Sequence, residues 1–322
     1  MFADRTGAVR AVHDPTGHGR APRRLAPSQA GTNQGGDEML GPRQYLELAQ
    51  GTIGYRETGR GDPVVFVHGV CCNSSAWRGV APALADNWRC ITPDFPLGSH
   101  SPAVPDADLS LPGQAEIVVG VLDALGLDRA VIVGNGYGGD IAQLVAARHP
   151  DRVAALVLVG PNVDRSYHWT AKAVVTMAKL PGAEASTRML LPRRTFQRLP
   201  IIYGWVTKRP IPDAIMAEYV GPAVQDRAVR RDLIRFLRGV TPEYLARASA
   251  QVRRFERPVL VVSPDEDKVF PRDAARQLAA DLPQGQFATI ADSFAWAPED
   301  QPAELAQLLL EFLPTASAVS GH

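Results

Sequence analysis

The run Gly134-Asn135-Gly136-Tyr137-Gly138-Gly139 constrains this chain more than any other stretch. An apolar segment, Ala130-Val131-Ile132-Val133, leads into it, and a helical pattern with Ile141, Leu144 and Val145 leads away. Glycine has no β-carbon, so it lets a strand turn into a helix while the two backbones approach closely. A turn of this kind lifts its central residue onto the edge of a sheet. The central residue is Gly136, which brings no side chain to that position.

The strand-then-helix rhythm continues on either side. Tyr45-Leu46-Glu47-Leu48 and Thr52-Ile53-Gly54-Tyr55-Arg56 alternate like two strands joined by a short turn. Pro63-Val64-Val65-Phe66-Val67 is continuously apolar, as a strand buried on both faces must be. Arg89–Thr92, Ala154–Val159, Pro258–Val262 and Gln286–Ile290 read as further strands. Ile117, Val118, Val121, Leu122 and Leu125 mark one helical face, Ala275, Leu278, Ala279 and Leu282 another, and Leu305, Leu308, Leu309 and Phe312 a third.

The expected fold class is therefore α/β: a mostly parallel eight-stranded sheet with helices on both faces. Between 164 and 247 the alternation stops and the pattern is helical with proline breaks, which predicts a helical cap inserted after the sixth strand. The core is expected over 41–163 and 248–314. Residues 1–40, rich in Gly, Pro and Arg without hydrophobic period, read as a disordered extension, and 315–322 as a flexible tail.

Formal net charge is zero, which gives no global attraction to nucleic acid or to a membrane surface. There is no run of about 18 apolar residues to span a bilayer and no apolar h-region at the start, so a cytoplasmic location is expected. Cys71, Cys72 and Cys90 are odd in number with two adjacent, which is neither a disulfide framework nor a metal site. No metal or other cofactor is expected. Thirty of the 34 basic residues are Arg, a bias that accompanies GC-rich coding, as in an actinomycete. The cap segment has 15 Lys and Arg against seven Asp and Glu, which can favour an acidic or phenolate ligand or simply reflect a solvated face. Arg230, Arg231, Arg235 and Arg238 fit a solvent-facing stripe.

With these motifs in place, residues 43 to 314 resemble the α/β-hydrolase fold, in its cap-bearing branch. His68-Gly69 after the third strand resembles the family's H-G oxyanion loop. Gly134–Gly139 resembles its nucleophile elbow. Ser263-Pro264-Asp265-Glu266-Asp267-Lys268-Val269-Phe270-Pro271 resembles its acid loop, with the acid at Asp267, and Ile290–Trp296 resembles the segment that carries its histidine. The resemblance implies a nucleophile at 136 and a histidine at 295. The chain has Gly136 and Ala295 there, with Phe294 in place of a preceding glycine. A hydrolytic triad needs nucleophile, base and orienting acid, and two of the three are missing. The resemblance further implies kinship with members recruited to close rings or join carbons in bacterial natural-product pathways.

In this fold the amide after the nucleophile and the amide after H-G form an oxyanion hole, which places Tyr137 and Val70 there. Asp267 is expected either to face the pocket, with burial raising its pKa into a useful range, or to pair with a neighbour such as Lys268 as a structural anchor. Asp265 and Glu266 could take either role. His100 is the candidate relocated base. Gly136, Asn135, His68, Gly69, Trp77, Ala295 and Trp296 are expected around the substrate. The cap should add Trp169, Tyr203 and Trp205, aromatic walls for a large flat ligand. Losing Ser and His should also widen the pocket floor.

The expected partner is a small molecule, aromatic or polyketide-derived, and the expected activity is cyclisation or C–C bond formation. A non-catalytic binding protein and a hydrolase with a relocated base are the alternatives.

Overall fold

The computed structural model describes residues 24–25, 39–164 and 168–319; the remainder of the expected N-terminal extension, with 165–167 and 320–322, lies outside the described residues. Nine strands form one sheet: β1 (Arg24–Leu25), β2 (Gln44–Leu48), β3 (Gly51–Thr58), β4 (Asp62–Val67), β5 (Trp88–Pro93), β6 (Ala130–Asn135), β7 (Val153–Val159), β8 (Val259–Pro264) and β9 (Gly285–Ile290). Their spatial order is β1-β2-β3-β5-β4-β6-β7-β8-β9. From β5 to β9 all neighbours run parallel, and β1 to β3 add an antiparallel margin. Eight strands match the expectation. The two-residue β1 is an addition: Arg24 and Leu25 pair with Leu46 and Tyr45 inside a segment expected to be disordered.

The central strands β4, β6 and β7 are buried along almost their whole length, because helices cover both faces. Those core helices are α1 (Ala81–Leu84), α2 (Leu111–Ala124), α3 (Tyr137–Arg148), α10 (Arg272–Asp281), α11 (Ala297–Asp300) and α12 (Pro302–Val319). Helix α12 continues through positions 315–319 that the sequence pattern assigns to a tail. Ser110 caps α2 by accepting the Gly113 amide at 3.2 Å.

After β7 the chain leaves the sheet for α4 (Trp169–Lys179), α5 (Ala183–Leu190), α6 (Arg194–Gln197), α7 (Asp213–Gln225) and α8 (Arg227–Gly239), then returns through α9 (Pro242–Val252). Helix α8 has a sharply divided surface: Val229, Leu233, Ile234, Phe236 and Leu237 are buried. Its arginines do not form a wholly solvent-facing stripe. Arg230 is 6% exposed and donates to the carbonyls of Ala223 and Val224, closing the C-terminal turn of α7. Arg235 and Arg238 likewise bond to carbonyls, of Pro105, Ala107 and Ala178. Cations of the cap thus serve main-chain acceptors in the cap itself and in the core beneath it.

Helix α7 fastens the cap to the core. Arg78 makes a two-pronged ion pair with Glu299, 2.7 Å on each side, and the Tyr219 hydroxyl donates to the same carboxylate. Ser75 Oγ donates to Glu218 at 2.6 Å.

Candidate active site

The elbow forms as its glycines require. A β-carbon on Gly134 would come within 2.3 Å of the Gly138 carbonyl oxygen, and one on Gly138 within 2.1 Å of the Val67 carbonyl oxygen. Gly134 lets strand β6 pass close to helix α3, and Gly138 lets α3 approach the end of strand β4. The apex, Gly136, has φ 55° and ψ −122°, a conformation that costs side-chain-bearing residues. A β-carbon there would nevertheless find room, its nearest neighbour being the Phe270 ring at 3.7 Å.

Asn135 ties the elbow to two other loops: its Nδ2 donates to the carbonyls of Val159 at 2.9 Å and Ala295 at 3.0 Å. It is a brace rather than a wall of the pocket. Ala295 is fully buried behind it, and the next residue, Trp296, turns its ring toward the cap, edge-on to Tyr203 and Tyr219. The Trp296 amide donates to the Val206 carbonyl at 2.8 Å.

His68 has a structural task. Its Nε2 accepts the Phe95 amide at 2.9 Å and its Nδ1–H donates to the Gly69 carbonyl at 2.8 Å. Burial lowers its pKa to about 4, so the ring stays neutral and keeps this tautomer. It holds the loop that carries Gly69, Val70 and Cys71. Cys71 adopts φ 54°, its amide donates to the Leu97 carbonyl at 2.9 Å, and its carbonyl accepts the Tyr203 hydroxyl at 2.7 Å. Burial raises the Cys71 thiol to about 12, which leaves it un-ionised.

Between these loops and the cap lies a cavity of about 120 Å³. Gly69, Val70, Gly136 and Tyr137 border it at the sheet edge, and Phe270, Trp296, Tyr203 and cap residues close it. Tyr137 is the first residue of α3, so its amide lies at the positive end of the helix dipole. Its ring packs edge-on against Phe236. Among the described residues no Asp, Glu, His, Lys or Arg side chain lines this cavity.

Asp267 stands behind it. Oδ1 accepts the amides of Val269 at 2.7 Å and Phe270 at 2.9 Å. Oδ2 has no hydrogen-bond partner and is shut off from solvent, although the residue as a whole keeps some exposed surface. Burial therefore raises the pKa to about 6, against the two amide bonds that lower it. Among the described residues no cation pairs with it: Lys268 lies over the Phe294 ring. Phe270 packs close to the elbow and to Gly160, near which the carboxyl also lies. Its ring approaches the β-carbon positions of both Gly136, at 3.7 Å, and Gly160, at 3.3 Å, while Oδ2 lies 3.5 Å from the latter. The Phe270 ring borders the floor of the cavity beside Gly136. Asp265 and Glu266 point elsewhere, to Arg272 and Lys208.

Several expected site residues are not brought to the cavity. His100 is buried at the core–cap junction, its Nε2 3.3 Å from Asp232, because the loop after β5 tucks under α8. Trp77 is wholly buried against Phe66, on the core side. Trp169 is 52% exposed and stacks edge-on with Trp205 on the outside of the cap. Tyr203 and Trp296 do line the cavity.

Most cap-side lining residues escaped the sequence reading, and Asn162, Thr170 and Phe270 are among those it missed. Asn162 follows β7 at the carboxyl edge of the sheet, where ligands of α/β folds gather, and that position was its available signal. Its Nδ2 donates to Asp140 at 2.9 Å, and its carbonyl accepts from Gln143 at 3.0 Å. Asp140 is fully buried, which pushes its pKa well above the ordinary carboxylate range. Phe270 carried no signal, being one apolar residue in a loop read for its acids.

Comparison with known proteins agrees with this frame. The profile of the alpha/beta hydrolase fold matches residues 62–302. A 2-hydroxymuconate semialdehyde hydrolase of Pseudomonas sp. (strain CF600) is 30% identical over 274 residues, covering 82% of this chain and 91% of its own. Haloalkane dehalogenase 2 of Mycobacterium tuberculosis is 27% identical over 282 residues, 83% of this chain and 93% of its own. The crystal structure of the haloalkane dehalogenase DbeA from Bradyrhizobium elkani superposes with a TM-score of 0.74 at 23% identity, over 86% of this chain and 99% of that one, a likeness of fold. The chain belongs to the alpha/beta hydrolase fold family.

Proposed function

We propose that this chain is a non-hydrolytic member of its family. It binds an uncharged, carbonyl-bearing small molecule beneath the cap and promotes ring closure or carbon–carbon bond formation, as on a polyketide-type intermediate. One observation carries the reading: Gly136 stands at the apex of a cavity that, among the described residues, is bordered by the Val70 and Tyr137 backbones and by no acid, base or cation. Similarity to hydrolases and dehalogenases supplies the fold, but their kind of reaction needs an activated nucleophile and a base, and the described lining of the cavity presents neither. Backbone donors aimed at a carbonyl oxygen require no side chain and still stabilise charge that builds there. Holding two reacting carbons together adds the advantage of proximity. The chemistry best suited is one that moves no proton through the protein, such as addition of a diene to an enone.

The buried Asp267 favours a second reading, in which the site binds without catalysing. Both readings are tested by incubating the protein with an aryl ester, a haloalkane and a trienone able to cyclise. The expected result is no phenol or halide release and ring closure faster than in buffer. Phenol or halide release by the unmodified protein overturns both readings; tight binding of the trienone without acceleration selects the second.

A further inference from the structure

A second chamber adjoins the first. It measures about 170 Å³ and lies between α4, α5 and α8. Cys71, Val174, Leu191, Ile202 and Leu237 border both chambers, so the two lie side by side with a shared wall. The outer lining is nearly all aliphatic, with Ser186 and Thr187 as its only side-chain hydroxyls and no charged side chain among the described residues. Met177 and Leu180 stand at its mouth, 37% and 54% exposed. Neither Trp169 nor Trp205 enters it. These walls suit a flexible chain rather than the flat polycycle that the cap's aromatic content suggested.

From this we propose that the outer chamber is a binding site for an uncharged alkyl or polyenyl chain, whose carbonyl end reaches the elbow in the inner chamber. The position of the carbonyl rests on the functional reading above; the chain site does not. Scale fixes the length. An apolar cavity of about 150 Å³ holds a benzene molecule, so the two chambers together take on the order of ten carbons. An ionised or heavily hydroxylated ligand is excluded, since nothing in the outer lining would repay its desolvation.

The test is a binding series on the intact chain, read by tryptophan fluorescence or calorimetry. The probes are 2-butanone, 2-hexanone, 2-octanone, 2-decanone and 2-tetradecanone, with the matched alkanes. Affinity should rise about fourfold for each added methylene and level off near ten carbons. Ala183→Phe and Thr187→Phe, both at the outer chamber and outside the elbow, should abolish the gain beyond hexanone while leaving the affinity for butanone unchanged. A ketone series with no dependence on length overturns the chain site and leaves the carbonyl reading standing. Equal affinity of ketones and alkanes at every length, with the length dependence intact, overturns the carbonyl reading and leaves the chain site standing. Unchanged length dependence in both folded Phe variants places the chain elsewhere and overturns the proposal.

Discussion

The ring of Phe270 stands 3.7 Å from the point at which a β-carbon on Gly136 would sit. Nucleophile and histidine are therefore not simply deleted from an otherwise waiting frame. Restoring Gly136→Ser together with Ala295→His should give a folded protein, at a cost of about 1–3 kcal/mol for a side chain at φ 55°. It should show no esterase activity above the parent, because the Phe270 ring lies in van der Waals contact with the new side chain and crowds its hydroxyl. Adding Phe270→Ala to the pair should be the first change that releases p-nitrophenol from its acetate. Activity in the double variant, measured by that release, would refute the crowding role.

Two buried groups give opposite pH dependence. The Asp267 pKa is raised from 3.8 to about 6, so the folded state holds its proton more tightly than the unfolded chain does. Its contribution favours folding at low pH and is lost as pH rises from about 4 to 6, a swing of about 3 kcal/mol. The His68 pKa is lowered from 6.5 to about 4, so its contribution is present above 6.5 and lost as pH falls through 4, again about 3 kcal/mol. The two slopes nearly cancel. Asp267→Asn keeps an acceptor for the Val269 and Phe270 amides while removing the carboxylate. It should stabilise the protein at pH 8 and expose the His68 slope, seen as stability falling with acid between pH 6.5 and 4 in urea titrations. A variant as pH-insensitive as the parent would contradict this account.

Asp94 is buried between Arg43, 3.0 Å away, and the fully buried Arg56, and it accepts the Ser74 amide at 2.9 Å. The two arginines and the amide hold its pKa below the ordinary value despite burial. Asp94→Ala would leave arginine charge uncompensated inside the protein. The expected loss is about 3–5 kcal/mol, read from the urea midpoint, well beyond an ordinary surface substitution.

The sheet was legible because its strands are continuous apolar runs, as Val64–Val67 and Ala155–Val159 show, and these have few alternatives. The elbow was legible because close backbone approach demands glycine at 134 and 138. Side-chain roles were harder to read where a long-range contact decides them. His100 resembles a free loop base until α8 brings Asp232 beside it. Trp77 and Trp169 have the same chemistry, yet one packs inside the core and the other outside the cap. Arg230 belongs by spacing to a surface stripe, but the carbonyls at the end of α7 draw it inward. Phe270 could not be ranked from sequence, since its importance comes from lying near Gly136 and Gly160 at once. Sequence periodicity reports which face is buried, not which neighbour is met there.

The hydroxyl of Tyr203 donates to the Cys71 carbonyl at 2.7 Å, joining the cap to the loop that carries Val70. Tyr203 is buried and its ring meets Trp296 edge-on, so the residue fixes the roof of the inner chamber over its floor. Tyr203→Phe keeps the ring and removes the donor. Overall stability should fall by about 1–2 kcal/mol, the cost of one buried carbonyl left without its partner. The more diagnostic effect is local. If the hydrogen bond holds the oxyanion loop in register with the cap, amide exchange should quicken at Val70 and Cys71 and around Val206, where the Trp296 amide docks. Exchange in α2, on the far side of the sheet edge, should not change. Tyr203→Leu should produce the same pattern with a larger loss of stability, because the contact with Trp296 goes as well. Uniform acceleration throughout the molecule would mean that Tyr203 only adds to global stability and does not couple the cap to the loop.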